Sequence, residues 1–93
     1  MTDVNVHDNR EQSRFEAHVD GEPAGFAEYV RDETIITFTH TEVHLEGLGV
    51  GSALARQALD TVRAEGGLDV VAQCSFIKGW IEKHPDYQDL LRS

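Results

Sequence analysis

The strongest constraint on this 93-residue chain is a change of hydrophobic period at about residue 47. Before it, apolar residues alternate with polar ones. Val4 and Val6 do so, then Phe15, Ala17 and Val19, and the stretch Thr34 to Val43 is rich in β-branched side chains. A period of two with such residues predicts strands. After the change, Leu54, Ala58, Leu59 and Val62 recur at helical spacing, which predicts a helix from about Ser52 to Glu65. At the switch, Gly47, Gly49 and Gly51 alternate within Glu46-Gly47-Leu48-Gly49-Val50-Gly51-Ser52. The chain therefore passes from sheet to helix through a tight glycine turn.

Other local signals fill in the order of elements. Asp20-Gly21 is a two-residue hairpin signal of type I′. Pro23 stands at the beginning of the returning strand, 22–31, where a missing N–H is tolerable. Arg31-Asp32-Glu33 makes the next turn, so the first half reads as an antiparallel meander of about four strands. Gly66-Gly67 stops the first helix at its C-cap. Val70 and Val71 mark a short strand, Leu68 to Gln73. Phe76, Ile77, Trp80 and Ile81 make a second amphipathic helix, with all four expected in the core. Pro85 ends that helix by pushing His84 out of the α region, and can start a last turn, Asp86 to Leu91.

The order is β-β-β-β-α-β-α. A strand, a helix and another strand imply a right-handed crossover, so the fifth strand is expected parallel to the fourth. The expectation is one domain, residues 1–93, with helices packed on a mixed α/β sheet that is mainly antiparallel.

Composition limits the function classes. Cys74 is the one cysteine, so no intrachain disulfide forms, which suits a reducing compartment. So small a chain buries a modest core, which a ligand or a second subunit can support; we expect a monomer or a homodimer. Met1-Thr2-Asp3-Val4-Asn5-Val6 lacks the character of a signal peptide, and no apolar run approaches the ~20 residues of a membrane span. A soluble, cytoplasmic protein is expected. The net charge of −9 argues against nucleic acid and anionic membranes as partners. Residues 1–33 carry three arginines against nine acids, whereas residues 34–93 carry five basic and eight acidic residues. An anionic ligand meets less repulsion in the second half.

The glycine turn is itself a candidate anion site. The N–H groups of the turn and of the helix start lack internal partners, and the helix dipole favours negative charge there. No acid occupies the first helical turn, and Arg56 follows one turn later. The spacing fits neither a P-loop, which ends in Gly-Lys-Ser/Thr, nor a dinucleotide fingerprint, which needs an early βαβ unit. A tight turn with no ligand is the plainer alternative.

Four ordered motifs carry a resemblance. They are His40-Thr41-Glu42-Val43, then Glu46-Gly47-Leu48-Gly49-Val50-Gly51-Ser52-Ala53-Leu54, then Cys74-Ser75-Phe76, then Ile81-Glu82-Lys83-His84-Pro85-Asp86-Tyr87. Across about residues 15–91 the chain is similar to the small, single-domain GNAT-like acetyltransferases. Two departures stand out: Glu46 replaces the superfamily's usual Gln or Arg, and the stretch between Val43 and Gly47 is about two residues shorter. The resemblance implies acetyl-CoA (coenzyme A) in a cleft where strands 4 and 5 splay apart. Backbone near Val43 would pair with the pantetheine arm. The N–H groups from Glu46, Gly47, Leu48, Gly49, Val50, Gly51 and Ser52 would hold the pyrophosphate, and His84 and Tyr87 would cap the cleft.

Acyl transfer to an amine needs a base for the amine and an acid for the leaving thiolate. His40 and Glu42 are two apart on a strand and are expected to share a partly buried face with Ile36 and Phe38, opposite Thr41 and Val43. Either is a candidate base. Cys74, at the opening of the cleft and at a helix start, is a candidate acid or transient acyl acceptor. The plainer readings are a core histidine for His40, a turn-fixing carboxylate for Glu42, a small core residue for Cys74, and packing around Pro85 for His84 and Tyr87. His7, His18, His40, His44 and His84 form no metal-ligand spacing. The leading expectation is an N-acetyltransferase acting on a lysine, a protein N-terminus or a polyamine. Its rivals are a non-catalytic CoA-binding module and an interaction domain with structural glycines. Only Asn9 to Ser13 separate the first two strands, too few for the substrate helices of ordinary GNAT domains.

Overall fold

The structure, a computed structural model, describes residues 3–45, 47 and 49–91. Strands β1 (Val4–Asn9), β2 (Arg14–Val19), β3 (Glu22–Arg31) and β4 (Ile35–Val43) come first. Helix α1 (Val50–Glu65), strand β5 (Asp69–Ala72), helix α2 (Ser75–Glu82) and a 3₁₀ helix, Pro85–Leu90, follow. The five strands form one sheet in chain order, antiparallel as far as β4 and parallel between β4 and β5. This is the expected order, with the expected parallel pair.

Local chemistry accounts for the boundaries. Asp20 and Gly21 have φ of 51° and 81°, the two positive values that a type I′ turn requires. Helix α1 starts at Val50, two residues earlier than its periodicity suggests, because Gly49 takes the N-cap position in the left-handed conformation. Val50, Leu54, Ala55, Ala58, Leu59 and Val62 form its buried stripe. His84 sits at φ −128°, ψ 82°, outside the α region as its proline neighbour demands.

Ion pairs tie the far end of α1 to the sheet and to the C-terminal segment. Glu65 meets Arg31 at 2.7 Å and also pairs with Arg10, and Arg63 holds Asp89 at 2.9 Å. Tyr29 donates to Asp8 at 2.6 Å, and burial together with that carboxylate pushes its phenol up to about 12.

The feature that shapes the molecule is a bulge in β4. Glu28 lies opposite His40 and Tyr29 opposite Phe38, which leaves Thr39 as an extra residue. One extra residue reverses which face each later side chain takes. Ile36 and Phe38 are buried in the core, but His40 and Glu42 emerge on the opposite face, 55% and 50% exposed. The expectation that these four share a partly buried face is overturned, and Thr41 and Val43 turn to the helix side instead.

Strand β5 leaves at the same place. Its last pairing is Ala72 with Phe38, whose carbonyl accepts from the N–H groups of both Gln73 (3.1 Å) and Cys74 (2.9 Å). Beyond Phe38, β4 pairs only with β3 among the described residues. Gly25 of β3 makes that stretch possible, since a Cβ there would stand 2.6 Å from the Glu42 carbonyl oxygen.

Candidate functional site

Where β4 and β5 part, the start of α1 and the face of α2 close a groove of about 400 Å³. Its apolar walls are Val43, Leu45, Phe76 and Trp80, and its backbone rim is Gly47, Gly49, Val50, Gly51 and Ser52. Glu46 and Leu48 of the expected loop lie outside the described residues. Gly47 and Gly49 have φ of 83° and 73°, and a Cβ on either would meet nothing within 4 Å, so this backbone is open. The first turn of α1 holds no acid. Open N–H groups beside an apolar wall suit a ligand with an anionic end and an apolar arm.

Phe76 corrects an expectation. It is 39% exposed, not core, and lies against the groove with its ring beside Gly51. Ile77, Trp80 and Ile81 are buried as expected. Trp80 is fixed further by its indole N–H, which donates to Ser52 Oγ at 3.1 Å. His84 stacks on Trp80 with ring centres 3.7 Å apart, and Tyr87 meets the same ring edge-on. His84 and Tyr87 therefore stand behind the groove wall, one layer from its lining. Tyr87 also donates to Asp60 at 2.7 Å, and that bond raises its pKa.

At the vertex of the divergence Cys74 is 8% exposed, and its thiol donates to Thr41 Oγ1 at 3.2 Å. Cys74 is the N-cap of α2, as the sequence suggests. Thr41 was not foreseen beside it, because regular alternation puts Thr41 on the wrong face.

Across the sheet, His40 Nε2 lies 3.1 Å from Glu42 Oε2, and His44 Nε2 lies 3.9 Å from Glu42 Oε1. The Phe26 ring stands within 6.1 Å of the His40 ring and 5.9 Å of the His44 ring. Beside them a cleft of about 430 Å³ opens over the β2–β3 bulge, edged by Arg14, Glu16, His18 and Phe26. A hydrogen bond from Arg14 holds the Glu16 carboxyl below its ordinary pKa. Cys74 and the His40–Glu42 pair thus approach the same stretch of β4 from opposite faces.

Three residues beside the groove or Cys74 escaped sequence reasoning: Thr41, Leu45 and Phe76. One signal was available for Thr41. Buried positions fall on even numbers at Ile36 and Phe38, and the next apolar residue, Val43, is odd, so the parity must change between them.

Among the described residues, no three His, Cys, Asp or Glu side chains gather to hold a metal ion. No helix of these residues is long and apolar enough to cross a membrane.

Comparison with known proteins agrees with this geometry. The chain matches no functionally curated protein. A family model described as GCN5-related N-acetyl-transferase matches residues 14–90, from the start of β2 to the end of the 3₁₀ helix. The match spans the diverging strands, the glycine turn, Cys74 and both helices, and on that evidence the chain belongs to the GCN5-related N-acetyltransferase family.

Proposed function

We propose that the protein transfers an acetyl group from acetyl-CoA to a primary amine by direct attack. The observation that carries this reading is the divergence of β4 from β5 at Phe38, with an open glycine turn on one side and an imidazole–carboxylate pair on the other. The residues present fit the ligand. Val43, Leu45, Phe76 and Trp80 offer an apolar wall for a pantetheine arm. The backbone N–H groups of Gly47, Gly49, Val50, Gly51 and Ser52 offer donors to a pyrophosphate at the end of a helix with no acid in its first turn.

When bound, acetyl-CoA supplies the thioester whose acyl carbon the amine attacks. His40 and Glu42 act on the acceptor side. With Nε2–H donated to Glu42, the His40 ring keeps Nδ1 free to take the amine proton, and Glu42 steadies the resulting imidazolium. Exposure on the open face leaves this pair within reach of an incoming amine. Cys74 acts on the other side: its S–H, oriented by Thr41, can protonate the departing thiolate. The balance is one N–C bond formed and one C–S bond broken, with one proton taken from the amine by His40 and one given to the CoA sulfur by Cys74; exchange with solvent then returns His40 to the neutral ring and Cys74 to the thiol. The direct route is preferred to a covalent route through Cys74 because the thiol is 8% exposed and already engaged.

The acceptor is a lysine, a protein N-terminus or a polyamine. Glu16, Glu28 and Glu42 on the open face, with a chain charge of −9, favour a cationic amine. We place the protein in the cytoplasm.

A second reading, a CoA-binding module without turnover, is favoured by one observation. Arg10–Ser13 is all that joins β1 to β2, and no helix from that junction covers the acceptor face. Incubation with labelled acetyl-CoA and a panel of primary amines separates the two. Turnover that falls in His40→Ala is expected, whereas tight CoA binding with no acetylated amine would establish the module.

A further inference from the structure

The described cations fall into two sets. Arg10, Arg14, Arg31 and Arg63 each meet a carboxylate within ion-pair distance. Among the described residues Arg56, Lys78 and Lys83 meet none, and all three stand on α1 or at α2. In a chain this acidic, leaving cations unpaired on one side of the molecule is a selective arrangement, and of the three Arg56 is the one held in place.

The hold on Arg56 comes from aromatic residues. Its guanidinium carbon lies 5.4 Å from the centre of the Trp80 ring and 5.8 Å from that of Tyr87. Its Nη1 donates to the Tyr87 hydroxyl at 3.3 Å. That hydroxyl donates in turn to Asp60, so the nearby carboxylate is reached only through an intervening oxygen. A guanidinium resting on ring faces keeps its in-plane N–H groups available to a second partner. Planar paired donors of this kind match phosphate oxygens.

Position narrows which phosphate. Arg56 is one turn beyond Ser52 on the same side of α1, and Ser52 accepts the hydrogen bond of Trp80. Trp80 is therefore shared: it lines the groove and also carries Arg56. The bond to Tyr87, itself anchored to Asp60, holds the guanidinium beside the second turn of α1, whose backbone at Arg56 is about 6 Å along the axis from Ser52. The backbone N–H groups already serve the pyrophosphate in the reading above, on which this argument rests.

We propose that Arg56 receives the 3′-phosphate of coenzyme A and makes the site selective for the intact nucleotide. Tyr87 is then a positioning residue, acting through Arg56.

Calorimetric titration of the full chain with CoA and with 3′-dephospho-CoA tests this, using the wild type, Arg56→Gln and Tyr87→Phe. The wild type binds CoA about tenfold more tightly than dephospho-CoA, a charge-assisted contact of ordinary strength. Arg56→Gln binds both ligands alike, at the wild-type affinity for dephospho-CoA. Tyr87→Phe loses about threefold for CoA alone. Equal weakening of both ligands by Arg56→Gln would overturn the assignment, and so would an unchanged preference for CoA. A wild type that binds neither ligand would overturn the acyl-CoA site itself, which is a different failure.

Discussion

The two halves of β4 obey different rules. Ile36–Phe38 is paired on both sides, by β3 and by β5, and puts Ile36 and Phe38 into the core. His40–Val43 is paired by β3 alone, and its alternation is reversed by one extra residue, Thr39. The first half holds the sheet together. The second offers one face to a groove and the other to solvent. The difference shows how a strand can serve packing and chemistry in succession: a single insertion bends the ladder, frees an edge and sends neighbouring side chains to opposite faces.

The sharpest way to break this contrast is to compare substitutions on its two sides. Phe38→Ala should destabilise the protein by about 4 kcal/mol, through lost burial and a cavity, as read by urea unfolding. His40→Ala should change stability by no more than about 0.5 kcal/mol, as an exposed site does. A comparable loss in both variants would show that the two halves do not differ.

Activity should reverse that ranking. His40→Ala is expected to lower the rate of amine acetylation about 100-fold, or about 2.7 kcal/mol of barrier, with little change in CoA affinity. Glu42→Gln should lower it less, because the carboxylate orients and steadies the imidazole. An unchanged rate in both variants would remove the acceptor-side base from the account.

Much of the fold was legible in the sequence. The Asp20-Gly21 hairpin, the β-branched fourth strand, the helical stripe of α1 and the Pro85 stop are local signals, and each held. The bulge was legible only indirectly. Thr37, Thr39 and Thr41 all suit a strand, so propensity marks no break, and the reversal shows only as the parity change between Phe38 and Val43. Phe76 was misplaced because helical periodicity says which residues share a face, not where that face ends. Its ring falls at the end of the stripe, over Gly51, where β5 has already parted from β4. The glycine turn was placed correctly, since its signal is a change of period and not a side-chain orientation.

A smaller effect probes the far end of the molecule, where the sheet is tied to α1 without reference to the groove. Glu65→Gln should cost about 1 kcal/mol at neutral pH. The hydrogen bond from Arg31 depresses the pKa of Glu65 in the folded protein, with Arg10 adding to it. Its contribution is therefore full above the unfolded value of about 4.3 and is lost as pH falls through the lower folded value. The wild type and Glu65→Gln should converge in stability as the pH falls from the unfolded value through the lower folded one. A gap that persists there would assign the effect to packing and not to charge. CoA affinity should be untouched in this variant.

An effect of similar size is expected of Trp80→Phe, which removes the hydrogen bond to Ser52 while keeping an aromatic ring. It should cost about 1 kcal/mol of stability and loosen the wall shared by the groove and Arg56.

The central claim is that the freed half of β4 and the glycine turn together form an acyl-CoA site. Backbone amide shifts recorded while acetyl-CoA is titrated into the labelled protein test it most directly. The account predicts that Val43, Gly47, Gly49, Gly51 and Ser52 shift together and saturate, while Ile36 and the β1–β2 turn do not. Amides that stay still at millimolar acetyl-CoA, or shifts confined to the open face around Phe26 and His44, would contradict it.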